Sequence, residues 1–232
     1  MVSGKTGQTP GWLSREMLDR GTVQDLARSR DGENSTILSP QALLESRRRF
    51  IPDNYDGPDI WVFGYGSLIW NPLISFEQRE DARLFGYHKR FCLWTRIGRG
   101  SPDCPGLVLA LDKGGSVRGH AFRIKAEKAA AECDILWKRE MLNNSYAPRW
   151  MKARCENGQP ITALGFVIRH ELPSYAGRLS EIQTAEVIAR AEGFLGPCCQ
   201  YLFETQAALE QAGIHDPYMQ RLSRLVRQLQ SA

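Results

Sequence analysis

A glycine-flanked turn that follows a short apolar run is the first stretch of this sequence with the residue types to bind a small anion. The run, Ile60–Phe63, is bounded by Gly64 and is typical of a buried strand. Gly64 and Gly66 allow the backbone to turn sharply, and the N–H groups from Gly66 to Leu68 can then converge on an anionic group. The alternative is that these glycines only provide a tight exit from the strand.

The spacing around this turn excludes three familiar kinds of site. A dinucleotide-binding fingerprint requires a third glycine where Ile69 stands, and a P-loop requires a Gly-Lys-Ser/Thr sequence that is absent here. A nucleophile elbow requires glycine two residues after the serine, and that position is again Ile69. Ser67 is therefore a poor candidate nucleophile.

Glu140 is the residue most suited to proton transfer. A helix predicted from about Lys125 to Leu142 carries an apolar stripe that leads to it, formed by Ala126, Ala130, Cys133 and Trp137. Burial of a carboxylate and its place in the last helical turn both act to raise its pKa, and no cation lies three or four positions away. Such a carboxylate suits a general base near neutral pH. The alternative is that the helix ends one turn early and Glu140 is solvated. Arg139 is expected on another side of the helix, in a structural role.

Several ordered motifs identify a family. Phe63-Gly64-Tyr65-Gly66-Ser67-Leu68-Ile69-Trp70 resembles the signature of the ChaC-like γ-glutamylcyclotransferases, the glutathione-specific branch of the cyclotransferase superfamily. The resemblance extends from about residue 61 to residue 209. It runs through Arg90-Phe91, Arg99-Gly100, Pro105-Gly106-Leu107-Val108, Arg139-Glu140 and Tyr201-Leu202-Phe203-Glu204.

This resemblance implies an activity. The expected reaction is intramolecular aminolysis of glutathione to 5-oxo-L-proline and L-cysteinylglycine, with Glu140 as the general acid and base. It implies no cofactor and no metal, in agreement with the absence of nucleotide and zinc-ligand spacings. The expected partner is therefore the small molecule glutathione, and the sequence leaves protein partners open.

The resemblance also implies the substrate-binding residues. The turn formed by Tyr65, Gly66, Ser67 and Leu68 would hold the glutamyl carboxylate and carbonyl. Tyr201 matches a tyrosine near the glutamyl pocket, although its place in an apolar run equally fits a core tyrosine. Arg99 would meet the glycine carboxylate, or else be solvated on its loop.

Two other functions stay open at this point. One is a cyclotransferase for other γ-glutamyl amines or amino acids, which the Tyr-Gly-Ser-Leu and Arg-Glu motifs disfavour. The other is a non-catalytic regulatory binding protein, which leaves the position of Glu140 without explanation.

The charge and the lack of targeting segments in the sequence indicate which partners and which compartment to expect. A net charge of +4 over 232 residues is too weak and scattered to indicate nucleic-acid binding. The run Arg47-Arg48-Arg49 is expected to be a solvated helix end. No signal peptide or membrane span is evident, so a cytoplasmic protein with no membrane partner is predicted. The six cysteines are then expected to be free thiols.

The order of elements predicts an α+β fold in two parts. Residues 1–57 are expected to form a helical extension, disordered over about residues 1–11, with helices starting at the caps Ser14 and Ser39. Residues 58–232 are expected to form the catalytic domain.

Within this domain the sequence predicts a hairpin that turns at Lys113-Gly114-Gly115, with strands over Leu107–Leu111 and Val117–Ile124. Residues 98–106 are predicted to form a loop. Helices are predicted from the capping box of Ser180 and Gln183 and over Cys198–Gln211 and Pro217–Gln230. The resemblance implies a small, mixed, partly closed β-barrel flanked by helices.

Overall fold

The computed structural model describes residues 13–31 and 37–231. The disorder expected for residues 1–11 lies outside these residues. These described residues form seven α-helices: α1 (Arg15–Asp19), α2 (Thr22–Asp31), α3 (Pro40–Arg48), α4 (Ala129–Glu140), α5 (Glu181–Arg190), α6 (Cys198–Gln211) and α7 (Pro217–Ser231). A 3₁₀ turn, Ala126–Lys128, leads into α4. No helix in the described ranges is long and apolar enough to cross a membrane.

Five strands close into a barrel, which confirms the α+β prediction. They are β1 (Ile60–Gly64), β2 (Gln78–Thr95), β3 (Gly106–Ile124), β4 (Tyr146–Cys155) and β5 (Pro160–Ile168). Their order around the barrel is β1-β3-β2-β4-β5, and a short parallel pairing of β1 with β5 closes it. The other neighbouring strands in this order are antiparallel, so the sheet is mixed. A separate two-stranded ribbon joins β6 (Glu192–Gly193) to β7 (Gly196–Pro197).

The predicted hairpin at Lys113-Gly114-Gly115 is wrong. Strand β3 continues through these residues and pairs along its length with β2, so that Phe85 faces Ser116 and Tyr87 faces Lys113. Two β3 residues thus oppose the single residue Gly86 of β2, and all three glycines have positive φ. This arrangement is a β-bulge, which bends a strand without reversing it. The hairpin turn between β2 and β3 is instead the loop of residues 96–105.

Three predicted helix starts are confirmed by their caps. Ser14 accepts a hydrogen bond from the Met17 N–H at 3.2 Å, and Ser39 accepts one from the Ala42 N–H at 3.1 Å. Ser180 and Gln183 form the reciprocal capping box at the start of α5. These local signals fix the helix starts because each side chain satisfies a backbone N–H that has no partner within the helix.

Helix α3 packs against α4, which carries Glu140. Trp137 of α4 is buried, and its indole N–H donates to Ser46 Oγ at 3.1 Å. Arg47 is not the solvated helix end that the sequence suggested. Its side chain is 2% exposed and is paired with Asp134 at 2.8 Å and Asp53 at 2.6 Å. These carboxylates, which come from elsewhere in the chain, compensate the cost of burying the guanidinium.

Helices α1 to α3 also share a hydrophobic core with the barrel. Leu18, Leu43 and Ile51 belong to one buried cluster with residues of β1, β3 and α4. The N-terminal helices are therefore packed elements of the fold. The division at residue 57 into an extension and a catalytic domain stays a prediction.

Candidate active site

A small pocket lies where the turn after β1 meets the C-terminal end of α4. It brings together six of the residues singled out from the sequence: Tyr65, Gly66, Ser67, Leu68, Glu140 and Tyr201. Leu109, Tyr146 and Phe166 complete its lining. We call this cavity the inner pocket.

The local sequence places Glu140 at this pocket. Asp59, just before β1, accepts a hydrogen bond from the Ala126 N–H at 3.0 Å and so holds the turn that leads into α4. Trp137 then packs edge-on against Phe166 of β5, with ring centroids 5.5 Å apart. Three residues after Trp137, the last apolar member of the stripe, α4 stops at Glu140. The carboxylate is therefore delivered to the pocket by a helix that is fixed at its start and along its buried face.

Burial dominates the electrostatics of Glu140. Its side chain is 15% exposed, and burial raises its pKa although the nearby Arg139 charge acts in the opposite direction. The sequence predicted this direction. A carboxyl with a raised pKa releases and accepts a proton closer to neutral pH than an ordinary glutamate does.

Arg139 is not placed as the sequence suggested. Its Nε lies 2.9 Å from Glu140 Oε1, and the side chain is only 5% exposed. The same guanidinium donates to Ser67 Oγ at 2.8 Å, to Pro72 O at 3.2 Å and to Asn71 O. Arg139 therefore joins the carboxylate to the turn and to the chain that follows it. Helical spacings of three and four residues do not predict this contact, because the two residues are immediate neighbours.

The turn from Tyr65 to Leu68 is tightly packed on one side. The Ile69 N–H donates to Gly66 O at 2.9 Å, and the Asn71 N–H donates to Ser67 O at 2.8 Å. A side chain at Gly66 would place its Cβ 2.9 Å from Tyr201 Oη. The close approach of Tyr201 thus requires glycine at this position.

Three tyrosines surround the carboxylate. Tyr65 donates to Phe166 O at 3.3 Å, and Tyr146 donates to Leu109 O at 3.0 Å. Burial, followed by neighbouring charges that include Glu140, raises the pKa of Tyr65, Tyr146 and Tyr201. All three hydroxyls are therefore neutral near pH 7. Tyr146 was missed from the sequence because β4 was not predicted.

A larger outer pocket of about 210 Å³ adjoins the inner one. Ser67, Glu140, Tyr146 and Tyr201 line both cavities. Glu140 therefore stands at the junction, accessible from either side.

Arg99 lies in the outer pocket and not in the inner one. It is 6% exposed, so the solvated alternative is wrong. Its Nη1 donates to Gln200 Oε1 at 2.9 Å and to Pro197 O at 3.2 Å. Within the described ranges no carboxylate lies within ion-pair distance of it, and burial lowers its pKa. A buried cation held only by neutral acceptors is suited to bind an anionic group of a ligand.

The outer pocket is also lined by Leu13, Leu18 and Val23 of the N-terminal region. The sequence had placed no site residue there, since short amphipathic helices carry no signal of which cavity they cover.

The comparisons with known proteins agree with this geometry. Residues 60–229 match the family model described as ChaC-like protein. The chain is 37% identical over 197 residues to the glutathione-specific gamma-glutamylcyclotransferase of Escherichia coli, with 85% of each chain covered. It is 30% identical over 187 residues to glutathione-specific gamma-glutamylcyclotransferase 1 of Rattus norvegicus, covering 78% of this chain and 84% of the relative.

A solved structure shows the same fold. The crystal structure of a gamma-glutamyl cyclotransferase specific to glutathione from yeast superposes with a TM-score of 0.69. The two sequences are 22% identical, and the match covers 74% of this chain and 97% of the yeast chain.

Proposed function

We propose that this chain, which belongs to the ChaC-like protein family, converts glutathione to 5-oxo-L-proline and L-cysteinylglycine. The relatives at 37% and 30% identity carry the names of glutathione-specific gamma-glutamylcyclotransferases. The observation in the structure that supports this function best is Glu140, a carboxylate with raised pKa, 15% exposed, beside the turn of residues 65–68.

The reaction requires only proton transfers and a folded substrate. Glu140 accepts a proton from the α-ammonium group or from the ammonium that develops as the α-nitrogen attacks the γ-carbonyl carbon. A new C–N bond closes the five-membered lactam, and the original amide C–N bond breaks. The α-nitrogen loses two protons in becoming the lactam N–H. Glu140 returns one of them to the departing amine, and the other is taken up by that amine as it becomes an ammonium group. Because both reacting groups belong to one molecule, effective molarities of about 10⁵ M or more favour the attack when they are well oriented.

The inner pocket would hold the glutamyl part of the substrate. The N–H groups of the turn from Gly66 to Leu68 would bind its carboxylate or the developing oxyanion, as backbone donors do in other acyl-transfer sites. Tyr201 would contact the same group, since its hydroxyl lies beside Gly66 and the residue lines the same pocket. Arg99, in the outer pocket, would bind the glycine carboxylate at the other end of the substrate.

Arg139 would act as a positioning residue. Its contacts to Glu140, Ser67 and Pro72 hold the base and the binding turn in one arrangement. Its charge also prevents burial from raising the pKa of Glu140 further. The Arg139 charge thereby favours the ionised carboxylate, the form that a base needs to accept a proton.

The test is incubation of the purified chain with reduced glutathione, with detection of 5-oxoproline and cysteinylglycine in equal amounts. A panel of other γ-glutamyl amines and dipeptides, assayed beside glutathione, tests the specificity. Formation of 5-oxoproline from the panel but not from glutathione would contradict the proposed substrate. No turnover of any member would contradict the enzyme itself.

A further inference from the structure

The outer pocket has an apolar wall that is supplied by the N-terminal helices. Leu13, just before α1, lines it together with Leu18 of α1 and Val23 of α2. Leu18 is fully buried and Val23 is 6% exposed. Because these side chains carry no polar atoms, this side of the pocket offers only apolar contact to a ligand.

An ion pair between the partly exposed Arg15 side chain and the buried Glu132 fixes this wall to α4. Arg15 donates to both carboxylate oxygens of Glu132, at 2.6 and 3.0 Å, and to Leu73 O at 3.0 Å. Glu132 is 5% exposed and also accepts from the Ser75 N–H at 2.8 Å. Burial acts to raise the pKa of Glu132, but Arg15 and the Ser75 N–H outweigh it and lower that pKa. The first turn of the N-terminal region is therefore joined to the helix that ends at Glu140.

A second contact joins the wall to the binding turn. The Asn71 side-chain amide donates to Leu13 O at 2.9 Å, and the Asn71 backbone carbonyl in turn accepts from Arg139. Leu13 is thus linked through one residue to the guanidinium that holds Glu140. Asn71 and Arg139 therefore help to fix both the position of the wall and the position of the Glu140 carboxylate.

We propose that this wall is a specificity subsite for the side chain of the substrate's second residue. The inference rests on the proposed function. The amide that is cleaved lies at Glu140, at the junction of the two pockets, so the residue that follows it occupies the outer pocket. The wall accepts a small uncharged side chain there, such as the thiol of cysteine. It excludes γ-glutamyl amides whose second side chain is larger.

The experiment removes carbon atoms from the wall by substitution and adds the same number of carbon atoms to the substrate. Leu13→Ala removes three carbon atoms from the wall, and S-propylglutathione adds three carbons to the thiol of the substrate. Val23→Ala with S-ethylglutathione is a second matched pair, with two carbons removed and two added. Met17→Ala is the control, because Met17 lies on α1 and packs in the core but does not line the pocket. Formation of 5-oxoproline is measured for each protein with glutathione and with each thioether.

The readout is the ratio of kcat/KM for the thioether to kcat/KM for glutathione. We expect each cavity variant to raise this ratio about tenfold for its matched thioether, in the range that a methylene group is worth in an apolar pocket. The KM for glutathione should rise while kcat changes by less than about twofold, because the wall binds substrate but moves no proton. In Met17→Ala the ratio should stay at the wild-type value.

Two results would overturn the inference. If the wild-type chain cleaves glutathione but the ratio in both cavity variants equals that in Met17→Ala, the wall does not select the second side chain, and the proposed function stands. If the wild-type chain does not cleave glutathione at all, the proposed function fails and this inference fails with it.

Discussion

Arg139 provides a quantitative test of how the site controls its base. In Arg139→Met the guanidinium and its four contacts to Glu140, Ser67, Asn71 and Pro72 are lost. Burial of Glu140 remains, so its pKa should rise above the wild-type value. A general base must be ionised, and the low-pH limb of the activity profile should therefore move to higher pH.

The size of the effect follows from the geometry of the ion pair. Two unit charges about 4 Å apart attract each other by about 4 kcal/mol at an effective dielectric constant of about 20. Loss of this attraction would lower the ionised fraction of Glu140 by at most about 10³-fold. Arg139→Lys keeps a positive charge but cannot reproduce the planar fork that reaches four acceptors. It should therefore shift the profile less than Arg139→Met. Its main effect should be a higher KM, because the contacts that hold the turn are lost.

The assay is the pH profile of kcat/KM for glutathione in the wild type and the two variants, over about pH 5 to 9. Circular dichroism and thermal melts at each pH confirm that the variants are folded. A folded Arg139→Met variant whose low-pH limb coincides with that of the wild type would refute this account of the base.

Three further predictions follow from the geometry of the pockets. Gly66→Val should abolish or severely weaken glutathione binding, since the valine Cβ would lie 2.9 Å from Tyr201 Oη. Ser67→Ala should weaken binding less. If calorimetry gave wild-type affinity for both variants, binding by the turn would be excluded. Arg99→Met should raise the KM for glutathione about 10- to 100-fold, because a charge-assisted hydrogen bond worth about 1.5–3 kcal/mol is lost. The KM for γ-glutamylcysteine, which lacks the glycine carboxylate, should rise less. An equal rise for both substrates would place the glycine carboxylate elsewhere. Dialysis against a chelator should leave turnover unchanged, because the proposed steps are proton transfers by Glu140, and activity that is lost and then restored by a metal would contradict this.

The local features of the fold were predictable from the sequence. The caps at Ser14, Ser39 and Ser180 are confirmed because a cap depends on residues within one helical turn. Helix α6 begins and ends at the predicted residues, Cys198–Gln211. The upward shift in the pKa of Glu140 was also predictable, since the apolar stripe of α4 required its last member to be largely buried.

The pairing of the strands was not predictable from local patterns. Gly114 and Gly115 resemble a hairpin turn, but they lie in a bulge opposite Gly86, a residue 28 positions earlier in the chain than Gly114. The first half of β2, residues 78–87, mixes buried, half-buried and exposed positions without a regular alternation, so it carries no clear strand signal. Both errors arose because the partner of each strand is distant in sequence, while hairpin signals are read within a few residues.

The contacts of the charged residues were the least predictable part of the site. Arg15 and Glu132 pair across 117 positions, and Arg47 pairs with Asp134 across 87. Spacing along the chain reveals neither pair because each joins distant segments, and Arg47 was expected to be part of a solvated helix end. Arg139 pairs with its immediate neighbour because Glu140 ends the helix and its side chain is not held to the helical face.

The central claim is that Glu140 is the general base and acid for cleavage of glutathione. Glu140→Gln keeps the size of the side chain and removes its ability to accept a proton. Because burial raises the pKa of Glu140 in the folded chain, the wild type loses stability relative to this variant as the pH rises through that pKa. The variant should therefore be folded and at least as stable as the wild type at neutral pH. Glu204→Gln, on α6, is the matched control, since it removes a carboxylate that does not line either pocket.

The most direct measurement is the rate of 5-oxoproline formation from glutathione by Glu140→Gln, with glutathione binding measured by calorimetry on the same sample. We predict a loss of about 10²–10⁴ in kcat, the usual contribution of a positioned general base, with binding largely retained and with Glu204→Gln near the wild-type rate. A folded Glu140→Gln variant that forms 5-oxoproline at close to the wild-type rate would contradict the claim.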